Sequence, residues 1–217
     1  MLAGLVFVAL ALFLFVVPLS LAEWYRLTRL VLLVLGAVLI LLGLVLALRG
    51  IRFPRDNPHA LAMARFLEQF LDYRYTFIRN IGRRELGYVD AVLVGPNGIL
   101  VFYFFARKGA FYTERNVWFE RRGQSLEPLK ENPTREAVKD VNALREFLAR
   151  RRLSSVPVYA VIVVTDPQTA ITAQQPIVPV AHMHNVQMAL QSNYLAAERI
   201  RPPESAAVVR AIMEDVA

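Results

Sequence analysis

The stretch that decides the fold is DAVLVGPNGILVFYFFARKG, residues Asp90 to Gly109. It contains two apolar runs separated by Pro96-Asn97-Gly98, a turn signal that predicts a β-hairpin. The second run, Ile99 to Phe105, carries no charge on either face, which is typical of a strand buried within a sheet. A two-residue loop would place Asp90 directly across from Tyr103, whereas a three-residue bulged loop would shift that pairing by one residue. The sequence leaves both registers open.

Apolar spacing on either side of this hairpin predicts further helices and strands. Asn132 followed by Pro133 is a helix start, because the amide caps the first turn and proline fits its first position. The order of strand, hairpin, helix and strand indicates the α/β class, a mixed β-sheet flanked by helices. We expect helices over Ala60–Tyr73, Asn132–Arg152, Val186–Gln191 and Glu204–Val216, strands over Tyr75–Ile81, Val117–Phe119 and Val156–Thr165, and inward positions at Val138, Val141, Leu144 and Leu148.

Over roughly Ala60 to Thr165 the chain resembles the NERD (nuclease-related) domain family, a branch of the PD-(D/E)xK nuclease-like proteins. The residues that carry the resemblance are Asp90, Gly98-Ile99, Trp118 and Asn132-Pro133. The resemblance implies a restriction-endonuclease-like core in which the second hairpin strand ends in Glu-x-Lys. Counted without a gap, the glutamate falls on Tyr103 and the lysine on Phe105.

Those two replacements bear directly on catalysis. Metal-dependent phosphodiester hydrolysis needs Mg²⁺ held by carboxylates and positive charge beside the developing oxyanion. Tyr103 and Phe105 supply neither, so we expect a degenerate site and no cofactor, with Mg²⁺ only if a displaced site operates. Such a site would need Asp90, Glu68 and Lys108 to converge, and Glu114 and Glu120 are further candidates. Alternatively, the aromatic pair could be core, or a platform for base stacking.

Two apolar runs, Met1–Ala22 and Leu30–Leu48, are each long enough to cross a bilayer as a helix. The short polar segment between them, with Trp24 and Tyr25, predicts a transmembrane hairpin over residues 1–48. A linker over residues 49–59 and an α/β domain over residues 60–217 would follow. These runs predict an integral membrane protein with its α/β domain in the cytoplasm.

The chain is basic, with a net charge of +7, and it contains no cysteine, which excludes disulfides and thiolate metal sites. A basic domain can bind nucleic acid or an anionic lipid surface, and charge alone does not choose between them. His182 and His184 could form half of a transition-metal site. The basic surface is expected at Arg83, Arg84, Arg107, Lys108, Arg121, Arg122, Arg150, Arg151 and Arg152.

Three functional hypotheses follow from these patterns. The first is a membrane-anchored NERD-like domain that no longer cuts and serves as a nucleic-acid- or protein-binding module. The second is an active Mg²⁺-dependent nuclease with the displaced site. The third is a structural membrane protein whose domain binds another copy of itself or another membrane protein.

Overall fold

The computed structural model describes residues 31, 34–43, 57–83 and 85–214. The chain divides into two compact units, Met1–Arg55 and Asp56–Ala217. Each unit is described by itself.

In the first unit, residues 34–43 are helical. The first apolar run of the predicted transmembrane hairpin lies outside the described residues, as do the ends of the second run. Within the described residues no helix is long and apolar enough to cross a membrane. This finding contradicts the prediction of an integral membrane protein with two transmembrane helices and a cytoplasmic domain.

The second unit contains nine strands and four α-helices among its described residues, and the α/β class is confirmed. The strands form a five-stranded mixed sheet in the order β1-β2-β3-β7-β9 and a four-stranded sheet in the order β6-β5-β4-β8. The strands are β1 (Thr76–Arg83), β2 (Gly87–Gly95), β3 (Gly98–Phe105), β4 (Ala110–Glu114), β5 (Val117–Arg122), β6 (Ser125–Pro128), β7 (Val158–Val164), β8 (Ala170–Gln174) and β9 (Val180–His182). The helices are α1 (Pro58–Leu67), α2 (Pro133–Arg150), α3 (Val186–Ala189) and α4 (Pro202–Met213).

The predicted hairpin is formed by β2 and β3, and its loop has two residues. Gly95 pairs with Gly98 and Ala91 pairs with Phe102, so the same register places Asp90 across from Tyr103. Gly98 has a φ of 109°, and a Cβ there would lie 2.6 Å from the carbonyl oxygen of Pro157. Only glycine tolerates that backbone conformation at such a close approach. The register choice that the sequence left open is therefore settled by the short loop.

Strand β3 is central and buried on both faces, as its uncharged sequence predicts. It pairs with β2 on one side and in parallel with β7 on the other. Helices α2 and α4 cover one face of the five-stranded sheet, and α1 and α3 lie against the other. The side chains of β2 and β3 alternate between the two faces of the sheet. Each of these strands therefore contributes to the core under α2 and α4 and to the core under α1 and α3.

Helix α2 begins where the sequence predicts, because the Asn132 side chain accepts a hydrogen bond from the backbone N–H of Arg135 at 3.1 Å. Its inward face differs from the prediction at one position. Val138 is 37% exposed, whereas its neighbour Ala137 is fully buried. Ala137, Val141, Leu144 and Leu148 follow the helical period more closely, so the apolar stripe runs through Ala137.

The four-stranded sheet is the part of the fold that the sequence analysis missed, apart from a short strand at β5. Its inward side chains form a third core with α2 and the end of β3. Trp118 anchors this core, since it is 1% exposed and its Nε1 donates to Thr134 Oγ1 at 2.8 Å. The sheet therefore rests on the end of the hairpin that carries Tyr103 and Phe105.

Candidate functional site

The site expected to carry chemistry lies at the end of β3, and aromatic packing occupies it. Phe105 is 4% exposed. Its ring lies 4.8 Å from that of Phe111 and 5.3 Å from that of Trp118, measured between centroids. Tyr103 points to the same face of the strand and is half-buried against the same core. The positions that correspond to Glu-x-Lys are therefore filled by side chains that stabilise the junction of the two sheets.

Asp90, across from Tyr103, is held by two hydrogen bonds. Its Oδ1 accepts from Asn57 Nδ2 at 2.9 Å, and its Oδ2 accepts from the backbone N–H of Phe104 at 3.4 Å. Burial raises the pKa of Asp90, and the Phe104 N–H and the Asn57 amide offset part of that rise. Asn57 is also the N-cap of α1, where its side chain accepts from the backbone N–H of His59. Asp90 thus links the start of α1 to β3.

Asp140, on α2, is a site residue that sequence reasoning missed. Burial, together with the negative charges of Asp90 and Glu136, raises the pKa of Asp140 to about 7. Burial also raises the pKa of Tyr103, and the neighbouring acids Glu136, Asp90, Glu131 and Asp140 raise it further. The sequence feature that could have indicated this residue is the four-residue spacing of Glu136 and Asp140, which places both acids beside the buried apolar stripe of α2.

The pKa of Asp140 gives a pH-dependent stability with a defined sign. Because the folded-state pKa is raised, folding favours the protonated carboxyl, so its contribution is fully present below about pH 4. That contribution is lost as the pH rises through about 7. We therefore expect Asp140→Asn to raise the free energy of unfolding by about 2 kcal/mol at pH 8, roughly half of what the full shift implies because solvent screens this partly exposed carboxyl, and to have little effect at pH 4. Urea titrations at both pH values measure this difference.

The matched control is Glu146→Gln, which removes an exposed carboxylate from the same helix. It should leave the pH dependence of stability unchanged. An Asp140→Asn variant whose stability falls between pH 4 and 8 as steeply as that of the wild type would contradict the assignment.

The described residues do not assemble a Mg²⁺ site around Asp90, although the carboxylate of Asp140 lies near enough for the two charges to interact. Each oxygen of Asp90 accepts one hydrogen bond, and the opposite positions on β3 offer a phenol and an aromatic ring. Mg²⁺ prefers near-octahedral oxygen coordination with more than one carboxylate or phosphate donor. Within the described ranges, no group of three or more His, Asp or Glu side chains is placed to hold a metal ion.

The residues of the displaced site are not brought together by any contact in the described structure. Glu68 is exposed at the C-cap of α1. Asn57, at the other end of that helix, contacts Asp90, and the helix rise separates the two ends by about 16 Å. Lys108 Nζ lies 3.8 Å from Asp166 Oδ2 and is 77% exposed. Glu120 pairs with Arg122, and Glu114 is exposed at the end of β4.

Many of the basic residues expected at a binding surface have partners within the protein. The guanidinium of Arg83 donates to the Ile212 carbonyl, and Arg84 lies outside the described residues. Among the residues that are described, Arg107, Arg121 and Arg152 are exposed and make no ion pair. Ion pairs join Lys108 to Asp166, Arg122 to Glu120 and Glu127, Arg150 to Glu85 and Glu146, and Arg151 to Glu85.

His182 and His184, the possible half of a transition-metal site, lie on different elements. His182 ends β9, and His184 lies in the following 3₁₀ turn, although their ring centroids are 5.3 Å apart. Burial lowers the pKa of His182, and the charge of His184 adds to this effect. A metal site would need a third ligand, and the described neighbourhood supplies none.

A comparison with protein-family models matches residues 56–165 to NERD, the nuclease-related domain. The match covers just over half of the chain. It includes α1, the hairpin, the strands around Trp118, helix α2 and strand β7. No curated protein and no solved structure matched the chain significantly.

Proposed function

Because the chain belongs to the nuclease-related (NERD) domain family, we propose that it is a member that binds nucleic acid without cutting it. The observation that carries this proposal is the packing of Phe105, which is 4% exposed between Phe111 and Trp118. A lysine ammonium at this position would lie in an apolar core, where an unpaired charge is strongly disfavoured. The fold here is stabilised by the residues that replaced the catalytic pair.

Asp90 supports the same proposal, since its hydrogen bonds have a structural role. It fastens the N-cap of α1 and the backbone of β3. Mg²⁺ in phosphoryl-transfer sites is held by carboxylates together with substrate phosphates, and strand β3 supplies no carboxylate opposite Asp90. The resemblance implies that an aspartate at this position holds the metal in active members of the family. In this chain Asp90 joins α1 to β3.

Nucleic acid is the partner that the exposed positive charge and the family together favour. Arg107 and Arg121 are exposed and without ion pairs to described residues, so their guanidinium groups can neutralise phosphates without first breaking an ion pair. The binding would release counterions and depend steeply on salt. The partner class follows from this chemistry together with the family.

The test is a titration of the full-length chain into fluorescent oligonucleotides, single- and double-stranded, over a salt series. We expect saturable binding whose logarithmic affinity falls linearly with the logarithm of salt concentration. Absence of binding at about 50 mM salt would contradict the proposal. Asp90→Asn is the internal control, and its affinity should equal that of the wild type because Asp90 makes no phosphate contact in this account.

A further inference from the structure

The outward face of the four-stranded sheet carries two aromatic rings side by side. Strand alternation turns Phe111, Thr113 and Trp118 into the core, where all three are buried. Tyr112 and Phe119 therefore face outward, and they are directly paired across β4 and β5. Their ring centroids lie 6.2 Å apart, with 40° between the ring planes. We call Tyr112 and Phe119 the ring pair.

The rings of Tyr112 and Phe119 are half-buried, and the residues around them on this face are exposed. Its row continues with Thr172 on β8 and Pro128 on β6, both of which are exposed. On the same face, Val117 lies in the cross-strand row on one side of the ring pair and Leu126 lies in the row on the other side. These two side chains are 45% and 46% exposed. The Tyr112 hydroxyl donates to Gln174 Oε1 at 2.9 Å, which fixes the orientation of that ring. Two positioned aromatic rings thus stand on an open sheet surface.

Positive charge borders the ring pair at both ends. Arg121 faces outward one row away, and it pairs with Ala110 and Leu126, which carry no charge. Arg107 lies in the segment leading into β4, on the Arg121 side, and Arg115 lies in the turn at the far end. All three side chains are exposed and make no ion pair with described residues. Glu114 is the acid at the far end, 3.4 Å from the Tyr112 hydroxyl.

We propose that the outward face of this sheet is a binding site for single-stranded nucleic acid. Two consecutive unpaired bases stack on Tyr112 and Phe119, and the flanking phosphates contact Arg121 and Arg107. Stacking requires an open base face, so a duplex, whose bases stack on one another, cannot use the ring pair. This proposal rests on the proposed nucleic-acid function and assigns it to the outward face of the four-stranded sheet.

The experiment measures the fluorescence anisotropy of a labelled oligothymidylate of about 12 nucleotides, a length within the range of single-strand binding sites. The full-length chain is compared with Tyr112→Leu and Phe119→Leu, which retain apolar bulk and remove the aromatic face. We expect each substitution to weaken single-strand binding about tenfold. Arg121→Ala should reduce the slope of affinity against salt by about one. The wild type should bind a duplex of equal length about tenfold more weakly than the single strand.

Matched controls lie elsewhere on the same unit. Tyr73→Leu removes an aromatic ring that is 95% exposed, and Arg152→Ala removes an exposed arginine that makes no ion pair with described residues. Both should change single-strand affinity less than twofold. Thermal unfolding of every variant confirms that the four-stranded sheet remains folded.

The outcomes separate this proposal from the one on which it rests. If the wild type binds neither oligonucleotide, the proposed function fails. If it binds but the ring-pair and Arg121 variants bind as tightly as the wild type, only the platform proposal fails. Concentration-dependent dimerisation that the same substitutions abolish, with unchanged affinity for oligothymidylate, would assign the face to a second copy of the chain and overturn the platform proposal.

Discussion

Replacing Phe105 by lysine, alone or with Tyr103→Glu, is expected to unfold the domain rather than to create a nuclease. The substitution removes a phenyl ring from between Phe111 and Trp118, and truncating such a buried ring costs about 3–5 kcal/mol. It also places an ammonium group in that core, which adds a desolvation penalty. The sum is comparable with the whole stability of a typical domain, about 5–15 kcal/mol. Circular dichroism and the yield of soluble protein measure the outcome.

Val117→Lys is the matched control, because it introduces the same side chain on β5 of the four-stranded sheet, at a position that is 45% exposed. It should change the free energy of unfolding by no more than about 0.5 kcal/mol. Tyr103→Glu alone should be intermediate, since Tyr103 is half-buried beside Asp90 and Asp140, and another acid there would increase repulsion. A Phe105→Lys protein that folds with the wild-type melting temperature would contradict the account of this position.

Trp118→Ala is the second substitution with a large expected effect, a loss of about 3–5 kcal/mol in the free energy of unfolding. The indole is 1% exposed, contacts Phe105 and donates to Thr134 Oγ1 in the first turn of α2. Its removal opens a cavity at the point where the four-stranded sheet, β3 and α2 meet. Urea unfolding followed by far-ultraviolet circular dichroism measures the change.

Thr134→Val separates the hydrogen bond from the packing, because it preserves the shape of the side chain and leaves the indole N–H unpaired. We expect it to cost about 1–3 kcal/mol. Leu126→Ala, at an apolar position of the same sheet that is 46% exposed, should cost less than about 1 kcal/mol. A Trp118→Ala variant that loses no more than Leu126→Ala would show that this core does not hold the two sheets together.

The hairpin could be predicted from sequence because its determinants are local. Pro96-Asn97-Gly98 specifies the turn, and the uncharged run after it specifies a central strand. The pairing of Asp90 with Tyr103 depends on one residue of loop length, which the sequence left open and the two-residue loop resolves. The alignment of Tyr103 and Phe105 with the Glu-x-Lys positions is a prediction from the sequence, and the core that surrounds these two residues could not be predicted from it.

The four-stranded sheet was largely missed because its signals are weak and non-local. Strands β6 and β8 have four and five residues, are largely exposed, and lack apolar alternation. Strand β8 pairs with β4, which lies about sixty residues earlier in the sequence, so no local sequence pattern indicates this pairing. The spacing of Glu136 and Asp140 is visible in the sequence, but the altered pKa of Asp140 depends on how α2 docks beside Asp90. Docking geometry of this kind arises from tertiary packing and has no local sequence signature.

The prediction for the N-terminal unit was wrong. It rested on the length of two apolar runs, and within the described residues no helix is long and apolar enough to cross a membrane.

The central claim is that this NERD-family chain binds nucleic acid without hydrolysing it. The most direct measurement incubates the full-length protein at stoichiometric concentration with labelled single- and double-stranded DNA and with Mg²⁺ or Mn²⁺. The products are resolved on a denaturing gel beside those of Asp90→Asn. The account predicts intact DNA in every lane, under conditions in which anisotropy shows that the DNA is bound. Metal-dependent fragments that Asp90→Asn abolishes would contradict it and establish a working nuclease site around Asp90.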